Sequence, residues 1–67
     1  MVQVGNRIRE LRIERGLSQL DLADEAEVPL SQIGRIERGE NKPTISTLHA
    51  LCNALKIDLK TLLDFKK

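Results

Sequence analysis

Only Glu27, Val28 and Pro29 separate two short stretches of helical periodicity, and this tight joint constrains the chain more than any other feature. The stretch before it reads LSQLDLADEAE. Ser18 is placed to cap a helix, and Asp21 three residues later closes a capping box with Asp in place of the usual Glu. Leu17 ahead of the cap and Leu22 in the first turn form a hydrophobic staple. Leu22, Ala23 and Ala26 make the buried stripe, and the helix ends near Glu27. The stretch after the joint, PLSQIGRIERG, opens with Pro29 and closes with Gly39, which suits a helix start and a helix end respectively. Two helices this short, joined this closely, must cross steeply.

The remaining pieces are read from the same signals. A first helix runs from about Val4 to Arg15, with Ile8 and Leu11 on one side, and Gly16 closes it. Thr44 caps a fourth helix whose face is Ile45, Leu48, Leu51, Cys52 and Leu55, at a spacing of about 3.6 residues per turn. Asp58 caps a fifth, with Leu59, Leu62 and Leu63 on one face. No apolar–polar alternation persists over four residues, so nothing reads as a strand. With 67 residues the chain holds one domain, residues 1–67. Its single aromatic residue is Phe65, so the core must be aliphatic. The fold expected is all-α, five short helices around one aliphatic core.

Catalysis finds little support in the residue types. The single histidine, His49, lies three residues before the single cysteine, Cys52, and two ligands do not make a metal site. Cys52 falls in an apolar stripe and is expected to act as inert packing. No phosphate-binding glycine loop occurs. We expect no enzymatic activity, no cofactor, no metal and no small-molecule ligand. The chain has no apolar run of the length a membrane span needs, and its first residues, MVQVGNRIRELR, lack the apolar stretch of a signal peptide. The expected location is the cytoplasm.

Net charge is +1, but the charges are segregated. Residues 1–16 carry Arg7, Arg9, Arg12 and Arg15 against Glu10 and Glu14, whereas residues 17–34 carry Asp21, Asp24, Glu25 and Glu27 with no base. A chain organised this way can meet a polyanion on one side while staying near neutral as a whole. A helical wheel of the third helix sharpens the point. Ile33, Ile36 and Glu37 fall on one side, Ser31, Arg35 and Arg38 on the other. Gly34 lies at the edge of the outer face, and Leu30 and Gln32 flank it. A glutamate on the inner side is costly without a cationic partner. Arg12, beside the apolar stripe of the first helix, is the expected one. In DNA-binding pairs of steeply crossed helices the second enters the major groove, which makes Leu30–Arg38 the candidate reading element.

The stretch from IRELRIERGLSQLDLA through VPLSQIGRIERGENKPT to LHALCNALKIDLKTLL resembles the lambda-repressor-like, Cro/CI-type helix-turn-helix family, also called the XRE family. The resemblance covers about Val4 to Leu63. It implies a five-helix DNA-binding domain that acts as a dimer on an inverted repeat, hence a transcriptional regulator, in particular a repressor. It also implies that the arginine of the LR motif, Arg12, pairs with the glutamate of IERG, Glu37. Carried over by position, it makes Leu30, Ser31 and Arg35 base contacts, and Gly34 joins them as the residue whose missing side chain lets the helix backbone come close to DNA. Gln19, Gln32, Arg9, Arg38, Asn41, Lys42 and Thr44 become phosphate contacts. Gln19 at a helix start also fits the general attraction of free helix N–H groups for anions.

Three departures from the family pattern stand out. Pro29 occupies a position where relatives carry Ser or Thr, and Val28 ahead of it would be a poor N-cap. Leu30 is apolar at a reading position, where it can pack on a thymine methyl but cannot hydrogen-bond a base. The second helix lacks the lysines of relatives, so its acidic side must face away from DNA. That acidic side also supports an alternative, an antitoxin or protein-interaction module that docks a partner on helix 2. Ile57, Leu63 and Phe65 offer apolar area near the C-terminal end and are the expected dimer contact.

Overall fold

A computed structural model describes residues 2–64. Five helices follow in order: α1 (Val2–Glu14), α2 (Gln19–Ala26), α3 (Leu30–Glu37), α4 (Ile45–Leu55) and α5 (Leu59–Leu62). Among the described residues there is no strand. α1 packs on α3, α4 and α5, and α2 packs on α3 and α4. Ile8, Leu22, Ile33, Ile36, Leu51, Leu55 and Leu62 meet at the centre and are fully buried, so every helix sends at least one branched aliphatic side chain to the same core.

Side-chain caps start three of the helices. The Ser18 hydroxyl accepts from the Asp21 N–H, and the Ser18 N–H donates to the Asp21 carboxylate, both at 2.9 Å. Thr44 accepts from the Thr47 N–H at 3.1 Å, and Asp58 from the Thr61 N–H at 2.8 Å. These bonds satisfy N–H groups that a helix start otherwise leaves open. At α3 the chain departs from expectation. Pro29 itself is the N-cap, one position earlier than its expected place in the helix, and no side chain caps the start. Val28 is free to turn inward and packs against the core.

Four helices end in one way. A residue in the left-handed region follows the last turn: Gly16, Glu27, Gly39 and Lys56, with φ of 69°, 57°, 77° and 60°. The next N–H then reaches back to a carbonyl five residues earlier: Leu17 to Arg12, Val28 to Ala23, Glu40 to Arg35 and Ile57 to Cys52, all at 2.9–3.0 Å. This closing turn takes up orphan carbonyls and redirects the chain sharply. Leu17, Val28 and Ile57 then pack on the core. After α3 the equivalent residue is Glu40, which is exposed.

Two apolar expectations fail. Ile45 is 66% exposed, although it shares a face with the buried residues of α4. It sits about 60° off the stripe centre and in the first turn, where side chains lean towards the helix start and so beyond the core. Leu63, expected beside Leu59 and Leu62, is exposed because α5 ends at Leu62. One contact escapes any apolar pattern. Gly5 on α1 lies directly on the carbonyl end of α3, so near that an added Cβ would collide with the Ile36 carbonyl oxygen and sit 2.9 Å from that of Glu37.

Candidate nucleic-acid interface

α3 owes its placement to its inner side. Ile33 and Ile36 are buried, and Glu37 joins them with a side chain only 3% exposed. Arg12 meets it with a forked contact: Nε donates to Glu37 Oε2 at 2.7 Å and Nη2 to Oε1 at 3.0 Å. The remaining Arg12 nitrogen, Nη1, donates to the Leu17 carbonyl at 2.9 Å. The fork fits a carboxylate without distortion and compensates the desolvation of both charges. It also raises the Arg12 pKa further, chiefly through the hydrogen bond to Glu37. A third side chain completes the group, with Gln19 Nε2 donating to Glu37 Oε1 at 3.0 Å. Helices α1, α2 and α3 are thus tied at one buried carboxylate.

The outer side of α3 is solvent-exposed at Leu30, Ser31, Arg35 and Arg38, and Gln32 is half-buried beside them. Gly34 is not an open position at the edge of this face. It is buried beneath the Arg38 guanidinium, whose Nη1 would stand 3.1 Å from a Cβ on Gly34. Arg38 is itself engaged, donating from Nε to Glu40 Oε2 at 2.8 Å and from Nη2 to Oε1 at 3.3 Å. This contact holds the Glu40 carboxyl below its ordinary range. Following α3, Asn41 is half-buried and Lys42 exposed. The Thr44 oxygen is occupied by its cap and by a 3.1 Å bond to the Thr47 hydroxyl.

The other expected residues lie on other elements, and some do a second job. Gln19 commits one of its two amide hydrogens to Glu37. Arg9 is exposed on α1. Arg7 and Arg15, which the sequence marks only as charge, act as structural caps. Arg15 Nε donates to the Leu55 carbonyl at the end of α4 at 2.6 Å, and Arg7 Nη2 to the Thr61 carbonyl in α5 at 3.4 Å. Both place a cation against the negative end of a helix. Of the expected dimer contacts, Ile57 packs on its own core, Leu63 is exposed, and Phe65 lies outside the described residues.

The acidic residues of α2 line a groove of about 420 Å³ between α2 and α4, with Asp21, Asp24 and Glu25 opposite Arg15 and Lys56. Cys52 is buried, and desolvation pushes its thiol pKa up, which keeps it protonated. Among the described residues no group of three or more His, Cys, Asp or Glu side chains could hold a metal ion, and no helix is long and apolar enough to cross a membrane.

This arrangement, a closely joined helix pair locked to α1 through a buried arginine–glutamate fork, defines a helix-turn-helix domain. The helix-turn-helix family model HTH_3 matches residues 8–62, and the chain belongs to that family. It is 41% identical over 59 residues to the immunity repressor protein of Bacillus phage phi105, a match that covers 88% of this chain and 41% of that one. It is 38% identical over 64 residues to the transcriptional regulator SinR of Bacillus subtilis, covering 94% of this chain and 58% of SinR. The chain spans about half the length of the curated relatives it matches. Among solved structures, the restriction-modification controller protein C.AhdI of Aeromonas hydrophila superposes with a TM-score of 0.91 at 37% identity, covering 92% of this chain and 94% of C.AhdI. A SinR–SinI protein complex matches with a TM-score of 0.87 at 36% identity, covering 97% of this chain and 62% of that one.

Three participants are absent from the sequence expectation: Gly5, Glu40 and the bond from Gln19 to Glu37. A glycine inside an otherwise helical stretch is the available signal for the first. Glu40, two residues after Arg38, is a weak signal for the second, since the charge pair forms across a turn whose shape the sequence does not announce.

Proposed function

We propose that the chain binds duplex DNA and regulates transcription, with the outer face of α3 in the major groove. The observation that carries this is a short helix whose inner side is fully committed to the core while its outer side offers Ser31, Arg35 and Arg38 to solvent. Relatives named as repressors and transcriptional regulators support the same reading. Arg35 reads a base, because a forked guanidinium to guanine is the commonest specific pair. Leu30 packs on a thymine methyl, Ser31 and the Gly34 backbone approach neighbouring base edges, and Lys42, Asn41, Thr44, Gln32, Gln19, Arg9 and Arg38 serve the backbone.

One copy measures 29 × 23 × 20 Å, less than one turn of DNA. Two-fold partners set their reading helices about 34–36 Å apart, so the reading includes a homodimer on an inverted repeat, in a cytoplasmic setting. Leu63 supplies exposed apolar area for the contact, with Phe65 beyond it; Ile57 contributes less because its own core takes it.

The test is binding to duplex DNA at two salt concentrations. Affinity must fall as salt rises, with a slope of about −0.9 per phosphate neutralised. Arg35→Ala should cost about 1–3 kcal/mol and relax preference at one base pair, whereas Lys42→Ala should weaken all sequences alike. Absence of binding at low salt refutes the proposal. A uniform effect of Arg35→Ala across sequences refutes the base-reading role.

A further inference from the structure

One exposed cation at the end of the outer face of α3 is not free. Arg38 lies folded across Gly34, with both ends of its fork on the Glu40 carboxylate. Glu40 is held in place by the chain itself: Gly39 turns at φ 77°, and the Glu40 N–H donates to the Arg35 carbonyl at 2.9 Å. A carboxylate receiving a guanidinium fork offers two oxygens in the geometry that a phosphate offers.

We propose that Glu40 is a built-in competitor for DNA phosphate, which holds Arg38 back across Gly34 so that Arg38 reaches the DNA backbone only when the Arg38–Glu40 pair opens. The proposal rests on the DNA-binding function above and assigns Glu40 a positioning role in it. Both side chains are more than half exposed, at 58% and 56%. An ion pair in that setting contributes little to folding, so a phosphate can displace the carboxylate without disturbing the domain. Glu40 also feels Arg35 through space, and its charge therefore weighs on both arginines of the reading face. The pair sits at the helix end nearest the loop of Asn41 and Lys42, where backbone contacts are expected.

Glu40→Gln, Arg38→Gln and the double variant of the full chain separate a specific competitor from a general negative charge. The probe is a fluorescently labelled duplex of random sequence, read by anisotropy at 50 and 200 mM salt. Glu40→Gln should tighten binding several-fold at the lower salt and steepen the salt slope by about 0.9, so that its advantage shrinks about 3.5-fold at the higher salt. Arg38→Gln alone should weaken binding, since it removes a phosphate contact, and Glu40→Gln should bring a clearly smaller gain in the Arg38→Gln background than in wild type. An equal gain in both backgrounds overturns the proposal, since Glu40 would then act without Arg38. A wild-type chain that binds duplex, with Glu40→Gln no tighter, also overturns it while leaving the DNA-binding function intact. Failure of wild type and every variant to bind at low salt sinks both. Unchanged melting temperatures show that each variant is folded.

Discussion

Replacing Arg12 by Met should be among the most damaging single changes this domain can suffer, although it removes a charged residue in favour of an apolar one. The substitution leaves the Glu37 carboxylate 3% exposed with Gln19 as its remaining side-chain donor. Breaking a buried pair in this way costs about 3–5 kcal/mol. A domain of 67 residues has roughly 3–10 kcal/mol of stability in all. Arg12→Met should therefore lower the melting temperature by about 12 °C or more. Glu37→Leu should cost less, about 2–3 kcal/mol, because the guanidinium left behind is more weakly hydrated and keeps its bond to the Leu17 carbonyl. The double variant should recover most of the loss, since both desolvated charges are then gone. Urea unfolding followed by circular dichroism measures all four corners of the cycle. If the two single costs simply add in the double variant, the pair is not coupled and the reasoning fails.

Gly5→Ala should destabilise the domain by about 2 kcal/mol despite a better helix former, because the new methyl must push apart the backbones of α1 and α3; a raised urea midpoint would show that the helices are not tightly seated there. Lys56→Gly should add about 0.5–1 kcal/mol, since Lys56 holds φ at 60°, where a Cβ is strained; an unchanged melting temperature would contradict this. Acid should weaken the fold through its caps. Hydrogen bonds from Ser18 to the Asp21 carboxyl, and from Thr61 to that of Asp58, hold both below their ordinary value of 3.8. With folded pKa values depressed, their contribution is present above about pH 4 and is lost as pH falls through the folded values. The urea midpoint should drop in that window, and the drop should be shallower in Asp58→Asn.

Features carried by near neighbours in the chain were legible from the sequence, and features that depend on two distant segments were mostly not. Ser18, Thr44 and Asp58 announce their helices because a cap and its target lie three residues apart. The need of Glu37 for a cation is likewise local, since its place on the inner face follows from Ile33 and Ile36. Ile45 shows where periodicity stops being informative: the wheel gives a direction but not how far the core extends along the helix. Gly5 shows the opposite gap, because nothing near it in sequence reveals that the end of α3 will press on it. Glu40 escaped for a third reason. Its bond to Arg38 depends on the turn at Gly39, and that turn's shape emerges only once α3 has a defined last residue.

The two ends of α3 are held very differently, and this makes the helix a cantilever. Its far end is clamped by Gly5, by the Arg12–Glu37–Gln19 group and by the closing bonds of Gly39 and Glu40. Its near end begins at Pro29 with no side-chain cap and with Leu30 exposed. Leu30 and Ser31, the tip of the beam, are therefore held through the backbone between Val28 and Ile33, which pack on the core, and not by contacts of their own side chains. In the DNA-binding function proposed above, a lever of this kind would let the tip adjust to slightly different groove shapes while the root keeps its register against the rest of the domain.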